Sequence, residues 1–139
     1  MRYLATLLAL SFAIFAIAHD EQTVGSGENA YTVIFGMASE PAFTEEHNGL
    51  DLIIQDANGD GVENLETSLS ATLSAPDGSA ERELTLRPVY NEPGSYTDDF
   101  VLTEPGVYSV HVTGFIGETE VDVTFETHEV APLANLRFP

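Results

Sequence analysis

The sequence predicts an all-β protein: an immunoglobulin-like antiparallel β-sandwich of about seven strands, preceded by a signal peptide. Three observations carry the sandwich. Past residue 28, apolar and polar residues alternate with a period of two far more often than with the helical period. Breakers recur at intervals of about ten residues, the spacing of short antiparallel strands. The motif EPGSYT at 92–97 returns as EPGVYS at 104–109, one strand plus a turn later.

The first element is MRYLATLLALSFAIFAIA, residues 1–18. It has a single charge, Arg2, then an apolar run, and ends in Ala16-Ile17-Ala18. A charged start, a short oily middle and a small-x-small ending describe a secretory leader, with cleavage expected after Ala18. The run is short for a membrane span. Removing 18 of 139 residues leaves 121, enough for one domain with a single core. The expected organisation is a leader at 1–18, an N-terminal extension at 19–29, the sandwich at 30–127 and a C-terminal tail at 128–139.

Seven strands follow: AYTVIFGM (30–37), GLDLIIQD (49–56), TSLSATLSA (67–75), ERELTLRPV (81–89), YTDDFVLT (96–103), VYSVHVTGF (107–115) and EVDVTFET (120–127). In the third, Leu69, Ala71 and Leu73 share one face and Ser68, Ser70 and Thr72 the other. In the seventh, Val121, Val123 and Phe125 oppose Asp122, Thr124 and Glu126. One apolar and one wet face per sheet is what two stacked antiparallel sheets require. The turns PDGS (76–79) and ANGDG (57–61) supply residues that tolerate positive φ. Tyr108, two residues after a Pro-Gly pair, stands where a tyrosine corner keeps a buried hydroxyl bonded to nearby backbone, and Val110 stands where antibody domains carry a cysteine.

Composition narrows the function. The net charge is −19, becoming −20 without Arg2, and lysine is absent. Such a surface repels nucleic acid and anionic lipid and attracts cations or basic partners. Without cysteine there is no disulfide framework, no lipidated anchor and no thiol nucleophile. No Gly-x-Ser-x-Gly elbow, phosphate loop or His-Glu-x-x-His pair occurs, so a non-enzymatic protein is expected, in the periplasm or secreted, with no membrane insertion once the leader is removed.

The run EEHNGLDLIIQDANGDGVENLETSLSATL, followed by the two EPGxY strands, resembles the small exported sandwich domains called YtkA-like, and more distantly the FixH and CopC-like proteins. The resemblance covers about residues 30–126 and rests on turn motifs, which are specific for a fold more than for a chemistry. The DANGDGVENLE turn lacks the proline typical of the family outline.

Cleavage after Ala18 makes His19 the first residue, with an α-amine and an imidazole able to close one chelate ring. Amine and imidazole nitrogens favour Cu(II). The resemblance to CopC-like proteins, whose processed chains begin with histidine and bind copper, implies the same of His19 alone. The remaining nitrogens are on His47, His111 and His128. His111 is favoured as a second ligand because it sits on the polar face of a strand with Ser109 and Thr113. Asp20 would add a carboxylate, as would Asp98 or Asp99. The plainer reading of every histidine is a solvated polar residue.

A second cation candidate is DANGDGVENLET, where Asp56, Asn58, Asp60 and Gly61 match positions 1, 3, 5 and 6 of a calcium loop. Thr67 takes the place of its closing glutamate. Calcium is therefore the weaker expectation. The rival to any metal function is a structural or interaction module for another envelope protein. The C-terminal VAPLANLRFP is expected either to lie across an edge strand or to mediate assembly.

Overall fold

The computed structural model describes residues 19–139, so the proposed leader lies outside the described residues. Ten strands run in chain order: β1 (Asp20–Val24), β2 (Tyr31–Met37), β3 (His47–Gln55), β4 (Leu69–Ser74), β5 (Glu81–Leu84), β6 (Arg87–Pro88), β7 (Ser95–Thr97), β8 (Asp99–Val101), β9 (Ser109–Ile116) and β10 (Thr119–Glu126). They form two antiparallel sheets. One has the order β1-β2-β3-β7-β6, with β8 also on β3; the other is β10-β9-β4-β5. This is an immunoglobulin-like β-sandwich.

The alternation read from the sequence sets the core. Leu69, Ala71 and Leu73 are buried, as are Val121, Val123 and Phe125, and they meet Val33, Phe35, Leu50, Leu52 and Ile54 of the opposite sheet. Each fully buried aliphatic side chain of this kind contributes about 1.5–3 kcal/mol. Phe35 of β2 stacks on Phe125 of β10 with ring centroids 5.3 Å apart, tying the two sheets together. Tyr108 makes the expected corner: its hydroxyl donates to the Glu104 carbonyl at 2.7 Å and accepts from the Glu104 N–H at 3.1 Å. Val110, at the antibody-cysteine position, is fully buried. The predicted turns form as well, with Gly59 at φ 82° and Gly78 at φ 71°.

Two predicted strands are each divided in the structure. Residues 81–89 change partner: β5 pairs with β4, but β6 pairs with β7 of the other sheet. Leu84 and Leu86 are both buried, so the inward alternation continues across the switch and conceals it. Residues 96–103 divide at Asp98, which occupies an inward position between Tyr96 and Phe100. Its carboxylate accepts the Thr85 N–H at 2.9 Å and the Asp99 N–H at 2.9 Å, and it pairs with Arg87 at 3.4 Å. A buried carboxylate is tolerated only when its oxygens are bonded in this way.

The extension holds a strand of its own. β1 pairs with β2 from Asp20↔Phe35 to Val24↔Tyr31. On its other side the Gln22 side-chain amide donates to the Thr124 carbonyl of β10 at 2.9 Å. β1 therefore closes one flank of the sandwich. The C-terminal segment bridges Phe43 and Gly106 through Ala131 and Val130, burying Val130, while Leu136 and Phe138 stay exposed.

Candidate metal site and the placement of the histidines

His19 precedes β1, and the pairing registers define what it meets. Extending β1 by one residue places His19 across from Gly36, and Gly36 pairs with Asp51 of β3. The three residues thus form a row across the outer face of the first sheet. His19 Nε2 lies 2.8 Å from Asp51 Oδ2, and both side chains are about two-thirds buried, at 33% and 32% exposure. Gly36 makes this possible. A Cβ there would stand 2.5 Å from His19 Nε2 and 3.0 Å from Cγ, so the imidazole lies directly on the glycine backbone.

This geometry selects a tautomer. A carboxylate beside Nε2 favours the proton on that nitrogen, which leaves Nδ1 with the lone pair. Nδ1 is the ring nitrogen that closes a chelate with an α-amine of the same residue. Holding the distal N–H by a carboxylate is how metal-binding imidazoles are commonly oriented.

The other expected ligands are elsewhere. Asp20 is the next residue along the strand, so its side chain points to the opposite side; it lies beside Thr124 and Glu126 of β10. His47 shares the outer face of β3 with Asp51 but stands four residues away, roughly 13 Å by strand rise, and its Nε2 pairs with Asp99 at 3.2 Å. His111 is on β9 of the other sheet, with Nε2 2.6 Å from Asp122. His128 pairs with Glu40 at 3.7 Å. Each of the four histidines therefore meets its own carboxylate. Among the described residues no three His, Cys, Asp or Glu side chains gather to hold an ion.

Asp98 and Asp99 belong to the sheet opposite His111 and are engaged with arginine. Arg87 reaches both, and Arg82 donates to the Asp99 carbonyl at 3.2 Å. The Arg87 guanidinium holds the Asp99 carboxyl below the usual carboxylate range, with a smaller contribution from His47. This cluster was not anticipated as a unit. Its one sequence signal is Asp98 at an inward position between two aromatic residues.

The DANGDG loop bonds to itself. Asp56 Oδ1 accepts the N–H groups of Asn58 at 2.9 Å and Asp60 at 3.0 Å, and the Asp60 carbonyl accepts the Asp56 N–H at 2.8 Å. An aspartate-capped turn between strands accounts for these letters without an ion.

No family model and no curated protein matches the sequence. Among solved structures it is similar to the one titled "Crystal structure of the Lin-41 filamin domain", at 19% identity over 68% of this chain and 91% of that one, with a TM-score of 0.46. At that identity the likeness concerns the sandwich and not the chemistry of its faces.

Proposed function

We propose that the protein is an exported, non-enzymatic binding module that holds Cu(II) through His19 as its leading residue. The α-amine and Nδ1 would supply two nitrogens of one chelate ring. Asp51 fixes the ring by its bond to Nε2, and Gly36 provides the flat seat. The observation that carries this reading is the 2.8 Å contact between His19 and Asp51, which orients the imidazole before any ion arrives. His111 lies on the other sheet, so this reading does not use it as a ligand. A site with two protein nitrogens leaves coordination positions for water or for a partner's donors, which suits hand-over better than storage. The net charge of −20 after processing adds attraction for any cation. Calorimetric Cu(II) titration of protein beginning at His19, compared with protein carrying one extra N-terminal residue, tests the reading directly.

A second reading, a protein interaction module, is supported by a different observation. The sheet order leaves β5 at an edge with no further strand over it among the described residues.

A further inference from the structure

The two edges of the second sheet are treated differently. The β10 edge is covered by β1, whose Gln22 side chain caps the Thr124 carbonyl. The β5 edge faces outward beside a groove of about 180 Å³ lined by Leu73, Phe100, Leu102 and Tyr108 below and by Glu81 and Glu104 at the rim. The phase of the ladder shows what this edge offers. The Ala75 N–H donates to the Ala80 carbonyl at 2.9 Å. Counting by twos from that bonded pair, Leu73 with Arg82 and Ala71 with Leu84 are the bonded pairs of β4 and β5. Glu81 and Glu83 must then direct their backbone N–H and C=O groups away from β4.

We propose that this edge accepts, by strand addition, an extended segment of a partner protein in which basic and apolar residues alternate. The inference rests on the interaction-module reading and is independent of His19. A strand laid beside β5 would pair its backbone with Glu81 and Glu83. On the solvent face its side chains would stand opposite those two glutamates, where lysine or arginine is favoured. On the inner face they would stand beside Arg82 and enter the apolar groove, where valine or leucine is favoured. A second copy of this chain is a poor occupant, because antiparallel pairing of β5 with itself sets Glu81 and Glu83 against their own like charges. Arg82 points inward at the same edge and reaches the Asp99 carbonyl, a device that discourages indiscriminate pairing.

The test uses fluorescent peptides and anisotropy. The peptide Lys-Val-Lys-Val-Lys-Val-Lys is compared with a block-ordered peptide of the same composition and with its Glu-Val counterpart. The alternating peptide should bind, the block peptide should bind at least about tenfold more weakly, and the acidic peptide should not bind. Glu83→Pro removes an outward N–H without breaking a bond to β4; it should weaken binding by a similar factor with an unchanged melting temperature. Amide exchange at Glu81 and Glu83 should slow in the wild-type complex, a readout that stands even where the proline variant does not fold. Equal binding of the block peptide, wild-type binding by a folded Glu83→Pro, or unchanged exchange at both amides overturns the proposal. So does no binding of the alternating peptide at about millimolar concentration. His19→Ala should leave peptide binding intact while removing copper, so the two readings fail separately.

Discussion

His19 and Asp51 are 32 positions apart in the chain, yet His19 Nε2 and Asp51 Oδ2 lie 2.8 Å apart across the outer face of one sheet. Gly36, between them in the register, gives the imidazole room to lie flat. Removing either support should loosen the ring without touching the α-amine and Nδ1 that we propose as the Cu(II) ligands. Asp51→Ala is expected to weaken Cu(II) affinity by about 10–100-fold, the usual effect of losing a carboxylate that orients an imidazole ligand. Gly36→Ala is expected to act in the same direction by displacing the ring. Titration against a competing chelator at fixed pH measures both, and His111→Ala serves as the variant that should change nothing.

Asp98 is predicted to matter for folding rather than binding. Its side chain is 11% exposed and satisfies two backbone N–H groups besides pairing with arginine. Asp98→Ala should cost about 1–3 kcal/mol, because it leaves the part-buried N–H groups of Thr85 and Asp99 without their acceptor. Urea denaturation reads this as a lower midpoint at constant slope.

Tyr108 ties its own strand to the preceding turn through two bonds to Glu104. Tyr108→Phe keeps the ring and removes the hydroxyl, so the expected loss is about 1–3 kcal/mol, set by the part-buried Glu104 groups left without a partner. A matching loss is expected for Tyr96→Phe, whose hydroxyl donates to the Val62 carbonyl at 2.6 Å and accepts from the Leu65 N–H at 3.2 Å.

Stability should fall at both ends of the pH scale for identifiable reasons. Burial raises the phenols of Tyr96 and Tyr108 above their ordinary value of 10.0. The fold thus favours the neutral phenol, and this stabilisation is complete below pH 10 and lost as pH rises through the higher folded value. Asp99 behaves oppositely. Its value is lowered from 3.8 by Arg87, so its contribution is present above that pH and disappears as pH falls through the lower folded value. Melting temperature followed from pH 2 to pH 11 should show both limbs, with Arg87→Gln flattening the acid limb and Tyr96→Phe the alkaline one.

The DANGDG turn is expected to ignore calcium. Its aspartate already bonds to the loop's own N–H groups, so millimolar calcium should leave the melting temperature unchanged, whereas Asp56→Ala should lower it.

The inward faces were legible because burial imposes a period of two on each strand, as Leu69, Ala71 and Leu73 show. The tyrosine corner was legible because a local turn positions it. β1 was not legible, since DEQTV carries no apolar alternation and is held by backbone bonds to β2. The switch between β5 and β6 was hidden because a strand keeps its inward side chains while changing partner. The His19–Asp51 contact depends on the registers of three strands at once, which no single segment encodes. The surroundings of His19 were therefore not legible in the sequence, where it stood only as the residue after the apolar run. His111 lies on the polar face of its strand, as the alternation indicated, and on the sheet opposite the one that carries Asp51.

The most direct measurement is Cu(II) binding, by calorimetry and electron paramagnetic resonance, to protein whose first residue is His19 and to the same protein with one serine placed before it. A nitrogen-coordinated signal at one equivalent of copper, lost in the extended protein and in His19→Ala, is the predicted result. Equal affinity and an identical signal in all three would contradict it and leave the sandwich without its metal.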